Sequence, residues 1–587
     1  LTYRPAGWNI SLSIFGVGLF LLLYLWGTAT LPDRIRHYLK KPAVMAVTAS
    51  LIFFLVGRTA QSHWAPTFDE GFHITRGVMW LKMHDSRLSY FHPPLQNGIC
   101  AWFANNALGR RVKLPDTPAW TNADVARYSV DFASANKDIY PDLVKASRTG
   151  TALFGILICV VGVCWACKLG GPGAGWLAGI LLSLNPNLLA HGHLNTTDGG
   201  VTAMGFAAAY ALWRFTETNR IRWMVVSSLA FTGAALIKYS GLIWLAAFVF
   251  LCIPLLAGLK RRGTLLWFIP CTAAFFTVAL VLLYGWEPQV VRAGQPSFLT
   301  GQQLIAGRYW EGLFLQGQHA LTGHRAYFAG RKLIEASWWM SPAAFAIKTP
   351  LPLLMVFVFS SFWLVFRRTS SSVWISLIPV LLFGCLLVLS NKLALGIRHS
   401  LPILPFGIVL AVSLIFSLRR KLARLSLAAL LGLSTVAGAV FSYPSYLSYY
   451  PLWIGGQEGG RKWMVDSNYD WGQDLEILEQ HWAEIIEANK GVIPNLVYYG
   501  FVDPSVIYRM PVSSASLRGF MQWQDLMTRG MLDPASETHL QSRLNGTTVI
   551  SESAMKVGPL GLDFSSLQEG VFVGRVAHSF LVYNRSP

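Results

Sequence analysis

The sequence predicts a polytopic α-helical membrane protein of about twelve transmembrane helices, followed by a small external α/β domain. Three observations predict it. Hydrophobic residues make up 53% of the chain and charged residues only 13%, whereas soluble domains carry about 25% charged residues. Apolar runs long enough to cross ~30 Å of hydrocarbon recur along the first three quarters of the chain. The segments between those runs alternate in charge. The same composition excludes a disordered chain and a collagen. Seven cysteines in 587 residues exclude a disulfide scaffold, and Cys164-x-x-Cys167 lies in an apolar run, where membrane packing explains it better than redox chemistry.

The spans fall near 10–29, 43–60, 149–167, 174–190, 200–215, 223–237, 241–258, 264–285, 343–366, 372–390, 401–418 and 425–441. Segments 33–42, 168–173, 216–222, 259–263, 367–371 and 419–424 hold sixteen Lys and Arg, against three in 185–198, 238–240 and 391–400. Basic loops stay on the cytoplasmic side, so the first set is internal. Of 29 acids only Asp33 and Glu217 fall there. The membrane domain then covers 1–441 with external loops 61–148 and 286–342, and 442–587 is an external soluble domain. Within it, residues 473–488 place Leu475, Leu478, Trp482, Ile485 and Ile486 at helical spacing. Segments 495–501, 547–551 and 580–584 read as strands.

The first external loop opens with Phe68-Asp69-Glu70-Gly71-Phe72-His73. Thr67-x-x-Glu70 fits a capping box, and acids suit a first helical turn. The sharper reading makes Asp69 or Glu70 a general base at the membrane surface. Neighbours on a helix point about 100° apart, so the two acids have different jobs. His92-Pro93-Pro94-Leu95 is a stiff extended segment, in which His92 serves a rigid turn or a ligand. Asp198, in Asn195-Thr-Thr-Asp198, is either a helix cap or a site acid. Arg148, Lys238, Lys348, Arg398 and His399 stand at external span ends, against the general charge trend. A single such cation snorkels to the interface, but several suggest an anionic partner, most simply a lipid phosphate. A carboxylate base beside phosphate-binding cations suits transfer of a sugar from a lipid-phosphate carrier to a hydroxyl, with inversion and without a required metal. Nothing indicates a divalent ion or nucleic acid.

At these residues the chain resembles the multi-spanning, lipid-carrier-dependent glycosyltransferases of the GT-C fold, in the protein O-mannosyltransferase and aminoarabinose-transferase branch. The matching features are Phe68-Asp69-Glu70, His92-Pro93-Pro94-Leu95, Asn195 to Asp198, Lys348-Thr-Pro350, Gly396-Ile-Arg398-His399 and the block from Gly459 to Asp474. The resemblance implies a bacterial inner-membrane enzyme of cell-envelope glycosylation whose site and tail face the periplasm. Its donor would be a polyprenyl-phosphate-linked sugar and its acceptor a lipid, glycan or protein. It makes Asp69 the catalytic base, with Glu70 and Asp198 shaping the site. Arg148, Lys238, Lys348, Arg398 and His399 hold the carrier phosphate, and His73, His92 and Asn195 line the pocket. Span 10–29 departs from the family pattern by preceding its usual first span. The rival class is a transporter or flippase of lipid-linked substrates. It is disfavoured because almost no ionisable residue lies mid-span and the halves show no repeat.

Overall fold

A computed structural model describes residues 33–244, 267–291, 301–322, 325–366, 396–528, 544–558 and 564–585. The expected spans 10–29 and 372–390, and most of 241–258, lie outside the described residues. The chain is a polytopic helical membrane protein. Pro42–Gln61, Tyr140–Ser183 and Lys421–Ser442 are long and apolar enough to cross a bilayer, and Ile221–Ile237, Phe268–Tyr284 and Ile403–Ser417 are shorter apolar helices. Asp198–Thr218 is a further helix between them.

The span boundaries differ from expectation where prolines and glycines act. Expected spans 149–167 and 174–190 are two limbs of Tyr140–Ser183, broken at Gly171, whose φ of +78° precedes Pro172. Only a residue without Cβ adopts that backbone cheaply. The second limb stops at Ser183, and Asn185 then caps a separate short helix, Pro186–His191, by accepting from the amides of Asn187 and Leu188. Expected span 343–366 divides into Met340–Lys348 and Leu351–Phe366, because Pro350 and Pro352 cannot continue the first helix.

Pro42–Gln61 packs against Tyr140–Ser183 more extensively than any other described pair of elements. Its inward face carries Met45, Ala46, Ala49, Phe53 and Ala60, all buried. Lipid tails are as apolar as a leucine, so close van der Waals fit between small residues holds such helices together.

Segment 61–148 is itself helical, with Glu70–Met83, Pro94–Leu108 and Val125–Ala135 before the long helix begins at Tyr140. In the tail, Leu475–Ala488 forms as expected and buries Leu475, Leu478, Trp482 and Ile485. The sheet has four strands in the spatial order Asn495–Val497, Gly546–Ser551, Phe580–Arg585, Val571–Val576. The first pair is parallel and the others antiparallel. The edge strand Val571–Val576 escaped the sequence reading because Val571, Phe572 and Val573 are all exposed, without the alternation that marks a half-buried strand. One hydrophobic cluster joins Ile74, Tyr128 and Leu143 to Leu475, Trp482, Phe501 and Phe580. The tail therefore shares its core with segment 61–148.

Candidate functional site

Asp69 and Glu70 open the helix Glu70–Met83, and their carboxylates diverge as helical geometry requires. Glu70 turns inward and is fully buried. Arg148 Nε donates to Glu70 Oε1 at 2.8 Å and Nη2 to Oε2 at 2.7 Å. The amide of Thr67 donates to Glu70 at 2.9 Å and that of Asn195 at 2.7 Å. Burial opposes ionisation of Glu70, but Arg148 and these amides outweigh it and hold its pKa below the ordinary carboxylate value. Arg148 spends its remaining donors on the carbonyls of Gln61, Trp64 and Ala65. Arg148 lies two turns inside the helix Tyr140–Ser183, not at its mouth, so the geometry corrects its assignment to a carrier phosphate. Glu70, Arg148 and Asn195 form a closed knot beneath the site.

Asp69 faces the other way. Its side chain makes no capping hydrogen bond, so the helix does not account for it. Arg398 Nη1 donates to Asp69 Oδ2 at 2.7 Å, with the two side chains 8% and 30% exposed. Among the described residues Arg398 is the partner of that carboxylate. The guanidinium of Arg398 stacks over Trp471 at 4.5 Å, and its Nε is buried without an acceptor.

The tail fixes this pair. The amides of Ala65 and Phe68 donate to the carbonyls of Gln473 and Trp471. Asn468 Oδ1 accepts from the amide of Ile397 at 2.9 Å, beside Gly396 at φ +68°. A Cβ at Gly396 would lie 1.9 Å from Asn468 Oδ1, so only glycine permits this approach. Asp470 accepts from Gly472 and Ser553. The Asp466–Asp474 block thus braces the tail against the membrane helices.

Asp198, in the first turn of Asp198–Thr218, accepts from Lys238 Nζ at 2.6 Å. Lys238 is the extended residue that ends Ile221–Ile237. Arg398 and His399 act electrostatically on the same Asp198. His73 Nδ1 bonds Asn97 Oδ1 at 2.9 Å, and its ring lies 5.0 Å from that of His92. Burial first, and then Arg76, pushes the His73 pKa down to about 4. Burial followed by His73, Arg76, Lys238 and Arg398 holds His92 well below its ordinary value. Both imidazoles are neutral at physiological pH.

Lys348 does not join them. Its Nζ donates to the carbonyls of Leu447 at 2.9 Å and Asn468 at 2.6 Å, and it faces the Tyr450 ring at 4.8 Å. Two of its three donors go to carbonyls and the side chain is buried, which favours a bracing role over its expected phosphate assignment. The sequence reading missed Arg76, which a simple signal could have found. Asp69, His73 and Arg76 are spaced i, i+4, i+7 and so share one helix face. Among the described residues no three metal-ligating side chains cluster.

Residues 139–286 match the family of dolichyl-phosphate-mannose-protein mannosyltransferases. Over that segment the chain is similar to these transferases, as its motifs led one to expect. No curated protein sequence matches. Among solved structures, ArnT from Cupriavidus metallidurans bound to undecaprenyl phosphate is 14% identical, with 92% of this chain and 97% of that chain aligned at a TM-score of 0.43. The Archaeoglobus fulgidus oligosaccharyltransferase with Zn and sulfate is 13% identical over 92% and 73% of the two chains, at 0.47. The S. cerevisiae Pmt1-Pmt2 complex bound to its sugar donor is 16% identical over 45% and 35%, at 0.29.

Proposed function

We propose that this protein is a membrane glycosyltransferase that moves a sugar from a polyprenyl-phosphate carrier to a hydroxyl acceptor, on the external face of a bacterial inner membrane. The observation that carries the reading is the Asp69–Arg398 pair. It brings together a partly exposed carboxylate that caps nothing and a cation from 329 residues away, within electrostatic reach of Asp198 and His92. The family match over residues 139–286 supports the same chemistry.

In this reading the acceptor oxygen attacks the anomeric carbon while Asp69 takes its proton. The carbon–oxygen bond to phosphate breaks, and its electron pair leaves on the phosphate. Attack from the side opposite the leaving group inverts that carbon. Of the expected residues, Lys238, Arg398 and His399 would face the growing negative charge, and such fixed cations act where charge develops in the transition state. The acceptor is a lipid, glycan or protein hydroxyl. Purified protein given a polyprenyl-phosphate sugar and an alcohol acceptor should turn over. A transporter or flippase would not. Asp69→Asn should lower turnover by about 10²–10⁴-fold while changing donor affinity little. Near-normal turnover in that variant would remove Asp69 as the base.

A further inference from the structure

Among the described residues, no acid forms an ion pair with Arg76. It lies on the helix face of Asp69 and His73 and is 5% exposed. Its Nε is buried without an acceptor. Among the described residues, the carboxylate of Asp69 is bonded by Arg398 and that of Asp198 by Lys238. Arg76 instead meets aromatic faces, with its guanidinium carbon 5.8 Å from the ring centres of both Phe72 and Phe91. The other groups acting on it are Tyr90, Asp69 and Tyr239, and it acts in turn on His73 and His92.

A guanidinium stays protonated in proteins, and a buried charge without a hydrogen-bonded counter-ion is costly. Such a group persists where an anion arrives to complete it. The place for that anion lies beside His73 and His92, whose rings are 5.0 Å apart, on the helix face that Arg76 shares with Asp69. Lys238 and Arg398 each already carry a carboxylate, and Arg76 does not.

We propose that Arg76 binds the phosphate of the lipid-linked donor. This rests on the transferase reading and replaces Arg148 and Lys348 as the deep phosphate ligand. In the transfer step the phosphate goes from a diester with one negative charge to a monoester with two. Arg76 is the cation with charge to spare for that increase. It contacts the phosphate before and during transfer, so both donor affinity and rate depend on it.

The test uses detergent-purified full chain, with undecaprenyl phosphate, undecaprenol and inorganic phosphate as probes. Wild type should bind the lipid phosphate more tightly than the alcohol. Arg76→Met should erase about 10–100-fold of that preference, the worth of a charged hydrogen-bonded pair. Arg76→Lys should recover part of it. Undecaprenyl phosphate should raise the melting temperature of wild type more than that of Arg76→Met. Without ligand, Arg76→Met should melt no lower than wild type, because it loses an uncompensated charge. An unchanged preference in Arg76→Met, with wild type still favouring the phosphate, overturns the inference and leaves the transferase reading standing. Equal binding of phosphate and alcohol by wild type overturns both. Inorganic phosphate that competes as well as the lipid would assign Arg76 to a free anion and overturn the carrier assignment. A melting temperature well below wild type in both variants would make Arg76 a structural residue.

Discussion

Asp69 and Glu70 are neighbours in sequence and opposites in structure. Each is a carboxylate paired with an arginine from a distant part of the chain. Glu70 and Arg148 are both 0% exposed, and all their strong hydrogen-bonding groups are met by each other or by backbone. Asp69 is 30% exposed and Arg398 keeps a buried Nε without an acceptor. A closed pair of this kind supports a fold, while an open one leaves capacity for a substrate. A rotation of about 100° along one helix separates the two roles.

The largest expected effect comes from breaking the closed pair. Glu70→Gln or Arg148→Met leaves a buried charge without its partner, which typically costs about 3–5 kcal/mol. Either variant should melt well below wild type or fail to accumulate in the membrane. Asp69→Asn should melt close to wild type despite its lost turnover. Equal destabilisation at 69 and 70 would erase the contrast, and would return Asp69 to a structural role.

A smaller effect should appear with pH. His73 is buried with a pKa lowered from 6.5 to about 4, so the folded protein resists its protonation and the unfolded chain does not. The contribution is therefore complete above pH 6.5 and is lost as pH falls from 6.5 toward 4. A shift of this size corresponds to roughly 3 kcal/mol at most. Melting temperatures measured between pH 7.5 and 4.5 should decline across that window, and His73→Gln should flatten the decline. A slope unchanged by the substitution would mean that His73 does not carry it.

How much of this was legible before the structure depended on what each residue had to satisfy. The helices Pro42–Gln61, Ile221–Ile237, Ile403–Ser417 and Lys421–Ser442 lie within a few residues of their apolar runs, because bilayer thickness fixes their length. The divergence of the Asp69 and Glu70 side chains followed from helical periodicity alone. The fates of Arg148 and Lys348 did not. A cation at a helix end serves a ligand or a set of carbonyls with the same one-letter code, and only the packed chain decides. Arg76 was overlooked for the converse reason. It sits one turn beyond the Phe68–His73 motif, where only its helical spacing from Asp69 and His73 would have singled it out, and its burial without an acid partner makes it conspicuous. The bracing role of the Asp466–Asp474 block was not legible, because its partners Ile397, Lys348 and Ser553 are distant in sequence.

The smallest effect should come from a pair that resembles the others only on paper. Arg509, in the tail, donates to Asp138, in segment 61–148, at 2.9 Å, with side chains 81% and 60% exposed. It crosses the same boundary that the shared hydrophobic cluster crosses, so contact geometry alone would make it a clasp. Exposure argues otherwise. Water screens both charges, and ordering two mobile side chains offsets most of the gain, so exposed pairs are worth about 0.2–1 kcal/mol. Asp138→Asn should therefore shift stability by about 0.5 kcal/mol or less. High salt should shrink the difference further, since it screens surface charges but not buried ones. Ile74, Leu143, Trp482 and Phe580 would then hold the tail in place by burial. A loss of more than about 2 kcal/mol, well outside the range of exposed pairs, would show that the tail docks through charge. It would also show that exposure is a poor guide to which of this protein's ion pairs matter.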